Sequence, residues 1–126
     1  MNIPDNLKYT NDHEWLKIEG DTATVGITEF AQRELGDIVY LEVETKGQTL
    51  EKEAAFGTIE AVKTVADLYM PVTGKVLEVN EVLEKTPEVI NEDPYDKGWM
   101  IKISIDKKEE LNSLLEPDSY SSIVNV

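Results

Sequence analysis

The chain contains no cysteine, which excludes disulfide frameworks, thiolate metal sites and cysteine nucleophiles. Any redox-active sulfur has to be imported. Histidine occurs once, at His13, so a nucleophile paired with a base is hard to assemble. Ser104 falls in an alternating stretch, Ser113 in a helical one, and Ser119, Ser121 and Ser122 crowd the carboxyl end; none has an evident partner, and each reads as structural or solvated. Glycine-rich phosphate loops, zinc spacings and EF-hand loops are absent. No apolar run approaches bilayer length, and the opening MNIPDNLKYTNDHEW has neither a signal-peptide core nor an arginine-rich transit pattern, so a cytoplasmic protein is expected. Positive charge is also scarce. With 12 Lys+Arg against 26 Asp+Glu and a net charge of -14, the chain repels phosphates and anionic headgroups, which argues against nucleic acid and membrane as partners. The surplus describes a solvated acidic surface, or one that steers toward basic proteins.

What is present is a single-domain complement of 126 residues, 40% of them hydrophobic, enough to bury roughly two thirds of the unfolded surface. Residues 1–126 are read as one domain. WLKIEG and DTATVGI, joined at Gly20 and Asp21, form a hairpin signal. Thr28 is placed to cap a short helix over TEFAQREL, with Phe30, Ala31 and Leu35 near one face and Gly36 at its end. DIVYLEVE alternates as a well-covered strand, with Ile38, Tyr40 and Glu42 on one side and Val39, Leu41 and Val43 on the other. KVLEVN repeats the strand pattern, and Asn80 is placed to cap one helical turn that Pro87 stops. NEDPYDKG is a polar turn region. WMIKISI puts Trp99, Ile101, Ile103 and Ile105 on one face of a last core strand. Asp106 then caps a helix with a Leu111, Leu114 and Leu115 stripe, and Pro117 opens a second short helix toward Tyr120 and Ile123.

The stretch from Ala55 to Met70 carries the sharpest geometric constraint. As one strand its sixteen residues would extend about 53 Å at roughly 3.3 Å per residue. Compact scaling allows this chain a width of only roughly 36 Å. The run must therefore bend back near its midpoint, at Val62 and Lys63, burying Ile59, Val65 and Leu68 in part and pushing the lysine stem into water. A helix over IEAVKTVADLYM, with Val62, Val65, Ala66 and Tyr69 at helical spacing, competes; the β-branched residues between Val62 and Val65 oppose it. Two glycine-led strands, GDIVYLEV and GKVLEV, flank the bend and suggest a sandwich of two small sheets. A lysine at a bend tip suits a carrier, because acylation of its amine removes the charge and leaves a swinging amide. Spacing by itself favours an ordinary solvated strand or turn lysine.

Motif content adds what spacing leaves open. The chain carries LKY, then HEW from His13 to Trp15, GIT with FAQ and LGDIVY from Gly26 to Tyr40, FGTIEAVKTVADLY from Phe56 to Tyr69, PVTG, EVN, and PY with GW from Pro94 to Trp99. These ordered segments, spanning nearly everything from Ile3 to Tyr120, resemble the H-protein family of the glycine cleavage system. The resemblance implies a mainly β barrel-sandwich hybrid of the lipoyl/biotinyl-like kind, two small antiparallel sheets with short helices and a C-terminal helical cover. It implies lipoate as a covalent cofactor, amide-linked to Lys63, and no catalysis by the chain itself. The sequence departs from common family patterns at Ala61, where many relatives have serine, and at Glu44-Thr45-Lys46, where leucine-proline-glutamate is common; neither touches the acceptor amine.

The resemblance further implies a monomer that meets glycine decarboxylase, an aminomethyltransferase, dihydrolipoyl dehydrogenase and a lipoyl- or octanoyl-transferring enzyme. The decarboxylase passes an aminomethyl group to the arm, the transferase moves its one-carbon unit to tetrahydrofolate, and the dehydrogenase reoxidises the arm. Glu14 in HEW and Asp67 in VADLY match acidic positions of the family and are expected to dock the loaded arm, since an ammonium prefers a carboxylate most where the dielectric is low. His13 is assigned a packing role. Competing readings are a lipoyl or biotinyl domain of a larger enzyme, which usually reads DKA or MKM around its lysine, a relay carrier of octanoyl or lipoyl groups, and an interaction module that leaves Lys63 bare.

Overall fold

The computed structural model describes residues 1–125. Strands β1 (Lys8–Tyr9), β2 (Glu14–Glu19) and β3 (Thr22–Ile27) lead into helix α1 (Glu29–Leu35), followed by β4 (Ile38–Glu42), β5 (Thr49–Leu50), β6 (Ala55–Ala61), β7 (Val65–Tyr69) and β8 (Gly74–Val79). Short helices α2 (Val82–Lys85) and α3 (Val89–Glu92) precede β9 (Ile101–Ser104), a 3-10 turn (Lys108–Ser113) and helix α4 (Pro117–Ile123). All strand pairings are antiparallel. A six-stranded sheet is ordered β1-β2-β3-β9-β8-β5 and a three-stranded sheet β4-β6-β7. The two glycine-led strands, β4 and β8, lie in different sheets. The expected mainly β sandwich is therefore observed, with the two sheets not closing into a barrel.

The main core fills the space between the sheets. Leu16, Val25, Val76, Ile101 and Ile103 contribute from one sheet, and Ile38, Leu41, Phe56, Ile59 and Leu68 from the other. Burying an aliphatic side chain of this kind stabilises the fold by about 1.5–3 kcal/mol relative to leaving it exposed. A second cluster of Leu7, Tyr9, Trp15, Tyr120 and Val124 lies under α4. There Tyr9 and Tyr120 stack at 4.7 Å, and Trp15 Nε1–H donates to the Pro94 carbonyl at 3.0 Å. The C-terminal cover is held by Leu115 and Tyr9, whose backbones exchange hydrogen bonds of 3.0 and 2.7 Å.

Several local readings are corrected by packing. The register of β4 on β6 shifts between Ile38 and Tyr40, so Ile38 and Leu41 both reach the core while Val39 and Tyr40 stand exposed; a bulge breaks strict alternation. Met100, fully buried, joins the main core, whereas Trp99 packs against the second cluster with the Lys102 ammonium 5.2 Å from its ring centroid. Asn91 belongs to α3 rather than to the turn region. Asn80 lies two residues before the start of α2, with Glu81 at the cap position: its side-chain oxygen accepts from Val82 N–H at 3.3 Å, and its amide donates to the Lys97 and Trp99 carbonyls. The Leu111 segment winds as a 3-10 turn without a side-chain cap, because Asp106 instead accepts from the Ser104 hydroxyl at 2.7 Å.

Candidate functional site

The β6–β7 hairpin bends where the length argument places it, and the competing helix does not form. Ile59 pairs with Ala66 and Glu60 with Val65, while the Ala61 N–H donates to the Thr64 carbonyl at 2.8 Å and closes the bend. Lys63 stands exposed at the apex. Ile59 and Leu68 are buried as expected, but Val65 is 63% exposed. Its register with Glu60 puts it on the outer face, since side chains of paired residues share a face and alternate along each strand.

The apex is braced from behind. Val62 N–H donates to the Asp37 carbonyl at 3.1 Å, tying the bend to the corner between α1 and β4. Asn91 holds that corner: its side-chain oxygen accepts from Ile38 N–H, and its amide donates to Gln32 Oε1 and to the Gly36 carbonyl, each at 2.9 Å. Gly36 ends α1 with φ 80°, a conformation that costs glycine no Cβ penalty. A Cβ added there would lie 3.4 Å from Lys63 Cε and 3.8 Å from Nζ. The lysine stem thus rests over a glycine, with a rigid root and an exposed end.

Beyond Gly36 and Leu35 a cavity of about 290 Å³ opens between α1 and the inner face of the hairpin. Phe30, Ala31 and Leu35 form its helical wall, and Ile59, Ala66 and Leu68 its sheet wall. His13, Glu14, Glu34 and Asp67 supply its titratable lining together with Asp12. The structure therefore brings Glu14 and Asp67 to one cavity. Asp67 pairs with Thr58, a register that aims it away from the buried Leu68; as an exposed residue of the edge strand β7 it belongs to the mouth. Glu14 is only 2% exposed and forms part of the floor. Its Oε2 accepts from Tyr69 N–H at 2.9 Å and its Oε1 from the Thr10 hydroxyl at 3.1 Å. Burial pushes its pKa up to about 8, against the opposing effect of these hydrogen bonds and with a smaller push from Asp12. In the bare chain Glu14 is thus a neutral acid at pH 7, where the sequence reading expects a standing carboxylate.

His13 has a defined tautomer. Thr28 caps α1 by accepting from Ala31 N–H at 3.2 Å and lies 2.7 Å from the Tyr120 hydroxyl, which lies 2.9 Å from His13 Nδ1. Thr28 is fully buried. Only one orientation satisfies its hydroxyl proton: Thr28 donates to Tyr120, and Tyr120 donates to Nδ1. The imidazole proton is left on Nε2. Burial lowers the His13 pKa, and the ring packs at 4.7 Å against Phe30, in keeping with a packing role.

The lysine, the glutamate and the aspartate were visible as residues, but not the wall that joins them. Phe30, Ala31 and Leu35 were recognisable as a helical face; that this face meets a hairpin some thirty residues later in the chain is a tertiary fact. Glu34 and Asn91 carried no local signal, being a solvent-type glutamate and a turn-type asparagine.

Comparison with known proteins gives this geometry its context. The glycine cleavage H-protein family profile matches residues 7–126. The glycine cleavage system H protein of Bacteroides fragilis is 52% identical over 125 residues, covering 99% of each chain. That of Salinibacter ruber is 54% identical over 123 residues, covering 98% of this chain and 99% of the relative. Among solved structures, a glycine cleavage system H protein from Mycobacterium marinum superimposes with a TM-score of 0.86 at 33% identity, covering 98% of this chain and all of that one. With matches of this extent in sequence and in fold, the chain belongs to the glycine cleavage H-protein family, which acts as the lipoyl carrier of the glycine cleavage system.

Proposed function

We propose that this chain, as one carrier domain, bears its lipoyl group in amide linkage on Lys63 and docks the loaded arm against Glu14 and Asp67. The observation that carries the reading is the placement of an exposed hairpin lysine beside an apolar-walled cavity lined by both acidic residues. The fit is dimensional as well as chemical. A lysine stem extended by an acyl chain spans about ten bonds, or roughly 13 Å. Asp67 lies four residues beyond Lys63 on the returning strand β7, at most about 13 Å of extended chain away, and so within that reach. When attached, the dithiolane supplies the sulfur that holds an aminomethyl group and the disulfide–dithiol couple.

The chain's own residues do three things. The braced bend presents Lys63 at an exposed apex, its stem lying over Gly36, where successive enzymes reach it. The walls of Phe30, Leu35, Ile59 and Leu68 exclude water from an apolar arm. Glu14 responds to what is presented: neutral beside an uncharged arm, it gives up its proton when an ammonium enters, because a charge of opposite sign offsets the cost of burying a carboxylate. Asp67 and Glu34 add negative potential at the mouth.

On this reading the chain catalyses none of the transformations itself. It meets the decarboxylase and the aminomethyltransferase, and in addition dihydrolipoyl dehydrogenase and a lipoyl- or octanoyl-transferring enzyme, as a cytoplasmic monomer whose net charge of -14 opposes self-association. Covalent attachment turns each encounter into a local search at high effective concentration. The decisive assay is glycine–bicarbonate exchange with the purified decarboxylase. Exchange that requires lipoylated chain and vanishes in Lys63→Arg supports the reading; exchange with Lys63→Arg at the wild-type rate refutes it. For the docking residues, Glu14→Gln with Asp67→Asn should speed release of methylamine from the loaded chain, and an unchanged release rate refutes their role.

A further inference from the structure

The outer face of the three-stranded sheet is left without a cover. Of the eight exposed large hydrophobic side chains among the described residues, four lie here: Val62 at 75%, Val65 at 63%, Tyr40 at 48% and Val39 at 45%. They are contiguous. Tyr40, Glu60 and Val65 stand in one cross-strand row, Val39 occupies the bulge beside Tyr40, and Val62 is bonded to the same corner through the Asp37 carbonyl. Glu42, Thr58 and Asp67 form the next row. Exposed Glu60, on the central strand, stands between Tyr40 and Val65, Asp37 and Glu42 lie at the edge, and apart from Lys63 none of β4, β6, β7 or the bend contains a lysine or arginine. The face thus combines four exposed apolar side chains with an acid in their midst, and it adjoins the one amine under discussion. An apolar cluster of this kind on a strongly acidic monomer marks an interaction surface.

We propose that this face is the docking surface for the enzyme that acylates Lys63, a partner whose complementary surface is apolar with a cation opposite Glu60 and further basic residues toward Asp37 and Glu42. The proposal rests on the assignment of the acyl group to Lys63. Charge complementarity selects a basic partner, and the chemistry at the amine selects the acylating enzyme among basic partners. Cations seated against Glu60 and Asp37 hold the bend against the partner with Lys63 beside its acyl donor. The Lys63 amine then attacks the carbonyl carbon of an enzyme-held acyl thioester or acyl adenylate. A C–N bond forms, the bond to thiol or phosphate breaks with its electron pair on the leaving group, and two protons leave in converting the ammonium to an amide. The partition of the hairpin supports the same assignment. Val39, Tyr40, Val62 and Val65 line no part of the cavity for the arm, so they stay accessible when the arm lies there.

The test uses the full-length apo chain with Val62→Thr and Val65→Thr together, which keep β-branched strand preference and remove apolarity. Acylation at Lys63 by the purified transferring enzyme, followed by mass spectrometry, should show kcat/KM lower by about tenfold through KM, as expected for losing roughly 1.4 kcal/mol of apolar contact. Added salt should raise KM for the wild type more than for Glu42→Gln. Separately lipoylated double variant should support glycine–bicarbonate exchange within about twofold of wild type, a tolerance of roughly 0.4 kcal/mol. Tyr40→Ser carries the same comparison should the double variant not fold. Acylation unchanged in a folded variant overturns the proposal, as does exchange that falls as much as acylation, since the face would then serve another occupant. Failure to modify wild-type Lys63 at all overturns the underlying lysine assignment instead, and is distinguished by being independent of the patch variants.

Discussion

Replacing Glu14 by glutamine should make the protein more stable in alkali while impairing its docking of a cation. Glu14 is buried, with a folded-state pKa of about 8 against an ordinary value of 4.5. Between these values the folded chain holds a proton that the unfolded chain has lost, so stability falls as pH rises through this window and is level above it. The span corresponds to at most about 5 kcal/mol, from roughly 3.5 pH units at about 1.4 kcal/mol each. Glutamine has no proton to lose and its carbonyl still accepts from Tyr69 N–H, but its amide cannot accept from the Thr10 hydroxyl, which donates to Glu14 and itself accepts from Asp12 and Glu14 N–H, a pH-independent cost of about 1 kcal/mol. Urea unfolding of wild type and Glu14→Gln from pH 5 to 9 isolates the effect, since both carry the same remaining acidic surface. The variant should begin about 1 kcal/mol less stable near pH 5, then gain on wild type and overtake it as pH rises, the difference levelling above about pH 8. Parallel stability curves would refute the buried-acid account. The trade is typical of functional sites, where a group costly to the fold is retained for the ligand it meets.

Further outcomes follow from the same structure. A Cβ at Gly74 would stand 1.8 Å from the Ser104 carbonyl oxygen, so Gly74→Ala should cost about 3 kcal/mol or more by forcing β8 from β9, read as a lowered urea midpoint; a midpoint within error of wild type would contradict the close approach. The single histidine should titrate below 6.5 by NMR, its lowered pKa set by burial, and its neutral form should show the Nε2–H tautomer; an Nδ1–H signature would overturn the Thr28–Tyr120–His13 ordering. Tyr120→Phe should cost about 1–3 kcal/mol by leaving the buried Thr28 hydroxyl without its acceptor, again checked by urea unfolding, and a neutral result would contradict that network.

The parts of this protein legible in sequence are those dictated by the chain's own local limits. The hairpin at Lys63 was readable because sixteen residues of strand do not fit a body of this size, and Thr28 and Gly36 bracketed α1 by capping chemistry that acts within four residues. What failed were statements that assumed uninterrupted alternation. The bulge between Ile38 and Tyr40 turns two apolar side chains to solvent, and nothing in VYL announces it. Val65, being apolar, is expected to bury in part, but its pairing with Glu60 sends it outward. The core residue is Met100, fully buried in the main cluster, while Trp99 packs partly buried against the second cluster, so both Met100 and Ile101 point inward where strict alternation expects only one. The candidate site follows the same division: the lysine and both acids were identified through family motifs, whereas the cavity that unites them depends on α1 facing a distant hairpin. The protonation of Glu14 depends on burial, and burial belongs to the fold.

The central claim is that Lys63 carries the lipoyl group. Intact-mass measurement of the chain purified from cells supplied with lipoate, with the modified residue located by peptide fragmentation, tests it most directly. The account predicts a single lipoyl increment on Lys63 that is lost in Lys63→Arg. An unmodified chain in cells that lipoylate their other carriers, or an increment on a different lysine, would contradict it.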